Sequence, residues 1–201
     1  GYVGNFKVTI KKKPRYILED KCNGCGNCVS YCPVEMDDPF NMNLSKTKCL
    51  YIPFPQAVPA CYVIDPDYCR YTLRWECKQC EPVCKDLNAI DLKQKEEFLV
   101  VEVGTIIVAT GFDTFDPKLK PELGYGLYPN VITGLEFERL SSASGPTTGT
   151  VTINGEKPKN VVFVHCGGSR DKTVENEYCS RVCCMYTAKQ AHLIKEKLPD
   201  A

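Results

Sequence analysis

The sequence predicts a fold of mixed class, α+β / α/β, with a cysteine-rich first part and a second part built of strand, turn and helix. Three observations carry this. Fourteen of the 201 residues are cysteine, about 7%, and ten of these lie between positions 22 and 84. That stretch is cut by prolines into short elements. Strand-like runs flank it on both sides.

Phe6, Val8 and Ile10 alternate with Lys7, Thr9 and Lys11, the period of a half-exposed strand. Lys11, Lys12 and Lys13 read as its solvated end. Residues 98–101 (Phe-Leu-Val-Val) predict another strand. Residues 104–111 (Gly-Thr-Ile-Ile-Val-Ala-Thr-Gly) predict a buried strand ending on a Thr-Gly turn. Residues 112–160 are rich in Gly, Pro, Ser and Thr and read as a long connection. One or two helical turns are expected near Gly134–Leu140, then an exposed loop over 141–149. Val161-Val162-Phe163-Val164 reads as a fully buried strand that turns sharply after Cys166 at Gly167-Gly168. Residues 175–198 read as a helix stopped by Pro199, with Cys184, Ala188, Ala191, Ile194 and Leu198 as its apolar stripe.

Composition excludes several classes. Lys plus Arg is 25 and Asp plus Glu is 25, so the chain is formally neutral and lacks the basic footprint of a nucleic-acid binder. At 43% hydrophobic residues it can bury a core. Its longest uncharged run, 49–64, contains Pro53, Pro55 and Pro59 and is too short and broken to span a bilayer. No signal segment opens it. The chain starts at Gly1 and has Met only at 36, 42 and 185, so a section of a longer protein is expected.

The cysteines decide the chemistry. With His165 and His192 the only histidines, two-Cys, two-His zinc sites are nearly excluded. A secreted disulfide framework needs no tight clusters, yet twelve thiols sit in them. All-cysteine zinc shares the C-x2-C vocabulary. The spacing selects iron–sulfur. Residues 22–33 read Cys22-x2-Cys25-x2-Cys28-x3-Cys32-Pro33, the run of bacterial ferredoxins. Three thiolates on a tight loop cover three corners of a cubane. Gly24 and Gly26 let the backbone turn closely and aim N–H groups at sulfur. Cys32, at the start of a helix pointing away, serves a second cluster, and Pro33 keeps the loop from closing on the first.

Cys69-x7-Cys77-x2-Cys80-x3-Cys84 is a looser copy, and Tyr16–Glu19 before the first set echoes Tyr62–Asp65 before the second. The crossover rule assigns Cys22, Cys25, Cys28 and Cys84 to one [4Fe–4S] cluster. It assigns Cys69, Cys77, Cys80 and Cys32 to the other. Cys69 is the weakest of the eight, with Cys61 as the fallback. Cys49 and Cys61 each lie alone among apolar residues and read as small buried hydrophobes.

The last four cysteines leave two readings open. Cys179 and Cys183 are one helical turn apart, while Cys184 is rotated by about 100° on an ideal helix. Either Cys166, Cys179, Cys183 and Cys184 hold a further cluster, which needs a helix that opens or begins nearby, or three packed thiols lie on an inert helix.

Five segments resemble one family, the A subunit of heterodisulfide reductase from methanogen-type anaerobic metabolism. They are residues 4–8, the ferredoxin run after Lys21, and residues 51–59 (Tyr-Ile-Pro-Phe-Pro-Gln-Ala-Val-Pro). The others are residues 107–113, and Gly168-Ser169-Arg170-Asp171 with Tyr178–Met185. They span nearly the whole chain, and ordinary ferredoxins lack the last. The resemblance implies a partial Rossmann-like, thioredoxin-reductase-like FAD domain with an inserted two-cluster ferredoxin domain. Residues 1–18 would be a strand of the FAD domain, 19–94 the insert, and 95–201 the continuation of the FAD domain with a third cluster motif. Ala109, Thr110 and Gly111 would turn against the FAD. Cys166, Cys179, Cys183 and Cys184 would bind the third [4Fe–4S] cluster.

The implied function is electron transfer in a cytoplasmic heterodisulfide reductase complex. It would relay electrons between FAD and partner subunits in flavin-based bifurcation and reduction of CoM-S-S-CoB. The implied partners are the B- and C-type subunits, a hydrogenase or formate dehydrogenase input subunit, ferredoxin, and a second copy of the A-type chain. No residue reads as a nucleophile or acid–base pair. Three oxidised cubanes at about −2 each would take the neutral chain to roughly −6. The chain departs from the family pattern in having no G-x-G-x-x-G, so the FAD pyrophosphate loop is absent. The family's N-terminal cluster segment and C-terminal ferredoxin segment are absent too. A cysteine and two glycines stand where related flavoproteins begin a nicotinamide site, so NAD binding is not expected. The competing reading is a flavin-independent, polyferredoxin-like carrier module.

Overall fold

The structure, a computed structural model, describes residues 1–201. It divides into two compact units, Gly1–Thr110 and Gly111–Ala201.

In the first unit β1 (Phe6–Lys12) pairs antiparallel with β6 (Glu97–Val103) in an unbroken register from Phe6↔Val103 to Lys12↔Glu97. Cross-strand Val8–Val101, Thr9–Val100 and Ile10–Leu99 pairs suit the β-branched and aliphatic residues placed there. Lys11 ends the ribbon in an exposed ion pair with Glu96 at 2.6 Å. The ribbon brings the two ends of the intervening cysteine-rich segment side by side.

That segment is built of short pieces: α1 (Asn27–Ser30), β2 (Glu35–Asp37), β3 (Lys46–Lys48), β4 (Leu50–Tyr51), β5 (Val63–Ile64) and α2 (Arg70–Arg74). β2 pairs with β3, and β4 with β5, in antiparallel fashion. The two echoed tetrapeptides lie near each other, since Ile64 N–H donates to Arg15 O at 3.0 Å. The first is also tied to the end of the segment. Leu18 N–H donates to Ala89 O at 2.7 Å, and Asp91 N–H to Tyr16 O at 3.0 Å. The core holds Ile17, Met36, Leu50, Ile64, Tyr71, Ile90 and Leu92, together with Cys28, Cys32, Cys49 and Cys69. Sulfur therefore occupies the places that aliphatic groups fill in an ordinary core.

In the second unit α3 (Gly134–Ser141) begins on a capping box. Thr133 Oγ1 accepts from Glu136 N–H at 3.2 Å, and the Glu136 carboxylate accepts from Thr133 N–H. α3 packs on α4 (Cys183–Lys197). Phe137, Val151, Ile194 and Leu198 form the buried contact. Polar groups reinforce it. Gln190 Nε2 donates to Gly134 O at 3.0 Å and Glu138 Oε1 at 3.1 Å, and Lys189 pairs with Glu138 at 2.6 Å. No helix is long and apolar enough to cross a membrane.

Several sequence expectations are corrected. Residues 105–110 and 161–164 form no strand, and Ile107 and Val162 are 88% and 84% exposed. A strand needs a neighbour for its N–H and C=O groups, and neither run has one here. The C-terminal helix starts at Cys183 rather than near 175. Residues 172–174 make a 3-10 turn, and Glu175 and Arg181 take left-handed backbone that a continuous helix forbids. Its buried face carries Cys183, Gln190, Ile194 and Leu198, so Cys184 and Ala188 point outward. The hydrogen bonds of Gln190 hold that face inward. Cys32 follows a helix instead of starting one, because Gly26 starts α1 early and Pro33 disfavours helical backbone at Cys32. The loop over 141–149 is half-buried: Thr147 Oγ1 donates to Leu140 O, and Arg139 to Ser144 O.

Replacing Leu50, 1% exposed, by Ala is expected to lower unfolding stability by about 3 kcal/mol. Val58→Ala, at a 95% exposed position, stays within about 0.5 kcal/mol. Chemical denaturation of cluster-loaded protein checks both.

Candidate metal centres

The loop after Lys21 is drawn tight. Cys22 N–H donates to Leu18 O at 2.9 Å, and Cys25 N–H to Asn23 Oδ1 at 3.2 Å. Gly24 and Gly26 hold φ of +72° and +80°. A β-carbon on Gly24 would sit 2.8 Å from the Ala60 carbonyl oxygen, and one on Gly26 2.8 Å from the Tyr62 hydroxyl. Conformation and close approach both require glycine there.

α1 carries Cys28 and packs on the 3-10 turn Pro82–Cys84, which brings Cys84 from the second set to the first. Burial pushes the Cys28 thiol up to about 11, and negative charge at Cys84, Cys22 and Cys25 adds to the rise. The sulfurs of Cys84, Cys22 and Cys25 therefore lie within electrostatic reach of Cys28. Cys28 is buried, Cys22 and Cys84 are half-buried, and Cys25 is exposed.

Cys32, Cys69, Cys77 and Cys80 line one cavity, with Leu50, Ile64 and Leu92 in its apolar wall. Cys69 sits at the N-terminal cap of α2. Burial pushes the Cys80 thiol up to about 12, with Cys69, Cys28 and Cys32 raising it further. Cys49 lines the same cavity, its Sγ 3.4 Å from Cys32 Sγ. Hydrogen bonds with Cys49 hold the Cys32 and Cys69 thiols below their usual range, helped by backbone groups. The same bonds push Cys49 up. Cys49 is buried as expected, but it faces thiols rather than an apolar wall. Cys61, the fallback ligand, is 1% exposed. Its carbonyl accepts from Arg15 at 3.3 Å.

The thiol sets suit iron–sulfur cubanes. Each offers four sulfurs on short, sharply turned backbone, with Cys28 in one set and Cys32 and Cys69 in the other buried in the core. The raised Cys28 and Cys80 thiols favour the protonated form, and iron held there would favour the thiolates instead.

The second unit gathers the distal cysteines. Because α4 begins at Cys183, Cys183 and Cys184 occupy its first turn, where neighbouring side chains can converge. A ring nitrogen of His165, Cys183 Sγ and Cys184 Sγ all lie within 4.8 Å of one another. The Cys184 thiol is pushed up first by its hydrogen bond to Cys183, and Cys166 and Cys179 add to it, so Cys184 senses the other three sulfurs. Ser180 hydrogen-bonds the Cys183 sulfur and lowers its pKa. Cys166 is held at φ +58°, and Arg181 N–H donates to Cys179 Sγ at 3.4 Å. Cys183 is buried, Cys166 half-buried, and Cys179 and Cys184 exposed. His165 was missed as a site residue; its one signal was its place beside Cys166. Ala109, Thr110 and Gly111 lie in exposed irregular backbone, Gly111 at φ +75°.

The first cysteine run defines the class. Residues 15–36 match the family model of the 4Fe-4S binding domain, so the chain carries a ferredoxin-type 4Fe-4S binding segment. The whole chain is 57% identical, over 202 residues, to the A subunit of the H(2):CoB-CoM heterodisulfide,ferredoxin reductase of Methanothermobacter thermautotrophicus, covering 30% of that protein. It is 49% identical to the A subunit of the H(2)/formate:CoB-CoM heterodisulfide,ferredoxin reductase of Methanococcus maripaludis, again covering 30%. It is 48% identical to the A subunit of the ferredoxin/F(420)H(2)-dependent CoB-CoM heterodisulfide reductase of Methanosarcina acetivorans, covering 25%. The chain belongs to the family of heterodisulfide reductase A subunits and spans about 30% of the length of such relatives.

Two outcomes are expected. Gly24→Ala, forced into a left-handed conformation, costs about 1–2 kcal/mol and lowers iron retained after desalting. Iron and sulfide uptake by the apo-protein strengthens as pH rises through neutrality. Cys28, at about 11, and Cys80, at about 12, must each release a proton to bind. Uptake titrations at several pH values read that slope.

Proposed function

We propose that this chain is the electron-transfer section of a heterodisulfide reductase A subunit. The observation that carries it is the cavity lined by Cys32, Cys69, Cys77 and Cys80, paired with the loop and turn that unite Cys22, Cys25, Cys28 and Cys84. Each set mixes cysteines from both halves of the repeat. Cys166, Cys179, Cys183 and Cys184 hold a third cluster at the start of α4. When bound, the three clusters supply one-electron exchange with little rearrangement. The chain's own groups fix the sulfurs, exclude water around Cys28, Cys32 and Cys69, and offer backbone N–H groups to them.

Residues 19–94 form a ferredoxin insert, entered from β1 and left through β6. The ribbon and 95–201 belong to a thioredoxin-reductase-like FAD domain. Ala109, Thr110 and Gly111 form one edge for the flavin, and the phosphate-binding loop lies outside these 201 residues. The exposed apolar runs 105–108 and 161–164 await neighbouring strands. The names of the relatives support ferredoxin, hydrogen- or formate-linked electron input, and CoB-CoM heterodisulfide as the acceptor. B- and C-type subunits and a second copy of the A-type chain complete the complex, in the cytoplasm.

Iron and acid-labile sulfide on anaerobically prepared protein test this reading. About 12 iron per chain is expected from three cubanes. About 8 would remove the distal site, and zinc in place of iron would sink the electron-transfer reading.

A further inference from the structure

Twelve thiols are absorbed by the three sets, and Cys49 is not among them. It is nonetheless 2% exposed and lines the cavity of the Cys32, Cys69, Cys77 and Cys80 set. Its Sγ lies 3.4 Å from Cys32 Sγ, and Cys69 lines the same cavity. The backbone holds it there. Cys49 N–H donates to Val34 O at 3.2 Å, and Cys49 O accepts from Asp65 N–H at 2.7 Å. The thiol thus sits on a fixed platform between β3 and β4, against two sulfurs that come from different halves of the repeat.

A cubane takes four cysteine ligands, and that set is already complete. A fifth thiol beside it can offer its S–H as a hydrogen-bond donor to a ligand sulfur. Hydrogen bonds to cluster sulfur favour the reduced form, which carries one more negative charge, and so raise the reduction potential. We propose that Cys49 is a positioning residue whose S–H hydrogen-bonds the ligand sulfur of Cys32 and raises the potential of that cluster. This rests on the assignment of the cluster to Cys32, Cys69, Cys77 and Cys80. The step it tunes is a one-electron reduction in which no bond breaks and no proton moves.

The test uses the intact, anaerobically loaded protein and its Cys49→Ala, Cys49→Val and Cys49→Ser variants. Iron and sulfide are counted first, and EPR-monitored redox titration follows. Ala and Val are expected to keep full iron content. At a fixed potential near the midpoint, the reduced-to-oxidised ratio of one ferredoxin cluster falls roughly fivefold, the worth of one modest hydrogen bond. At 59 mV per tenfold that is about 40 mV downward. Ser, which keeps a donor, restores the potential. Val fills the space of the thiol, so it decides the matter where Ala fails to fold. Full iron with an unmoved midpoint in Ala or Val reduces Cys49 to packing and overturns the proposal. Loss of about four iron in all three variants makes Cys49 a ligand and overturns it as well. A wild-type protein without the ferredoxin clusters removes the underlying assignment instead, which the iron count shows before any variant is read.

Discussion

Sulfur at the centre of a small core is the constraint on which the first unit depends. Cys28, Cys32, Cys49 and Cys69 are buried among only a handful of aliphatic and aromatic side chains. As thiolates they repel one another, and as thiols they contribute little burial energy. The raised Cys28 and Cys80 thiols record both facts, since burial is the larger cause and neighbouring cysteines add to it. A cation bound there would resolve the conflict by taking the protons' place, and its binding would then stabilise the fold of this unit.

The backbone is arranged to serve that centre. Helices of four and five residues are too short to be stable by propensity. They are held because each places a cysteine, Cys28 inside α1 and Cys69 at the cap of α2. Glycine at 24 and 26 leaves room for the Ala60 carbonyl and the Tyr62 hydroxyl, each of which would lie only 2.8 Å from an added β-carbon. The β1–β6 ribbon closes the segment at its ends without entering the core, and most of its side chains remain exposed. The second unit follows a more ordinary plan. A capped α3 and a longer α4 bury a few large apolar groups, and the cysteines collect where α4 begins.

The four-cysteine run and its looser copy were legible because metal ligation restricts spacing more than any fold does. The β1 and β6 strands and the helix at 134–141 were legible from periodicity and, at α3, from residues able to cap. Residues 105–110 and 161–164 were misread for a physical reason. Apolar runs report that burial is favourable, and they say nothing about whether a neighbour is there to provide it. The relatives extend far beyond this stretch, and these runs are where such neighbours would matter most.

By itself the sequence determined the cysteine inventory, its short-range spacing and the family. Those depend on residue identity and short-range spacing. Tertiary structure decided the rest. It began α4 at Cys183 through left-handed turns at Glu175 and Arg181, which lets two adjacent cysteines share one site. It turned Cys184 outward because Gln190 anchors the opposite face. It brought His165 to the distal thiols, and it set Cys49 against Cys32 and Cys69. Each of these contacts joins residues separated by a turn whose direction no local pattern specifies, and only the folded chain determines it.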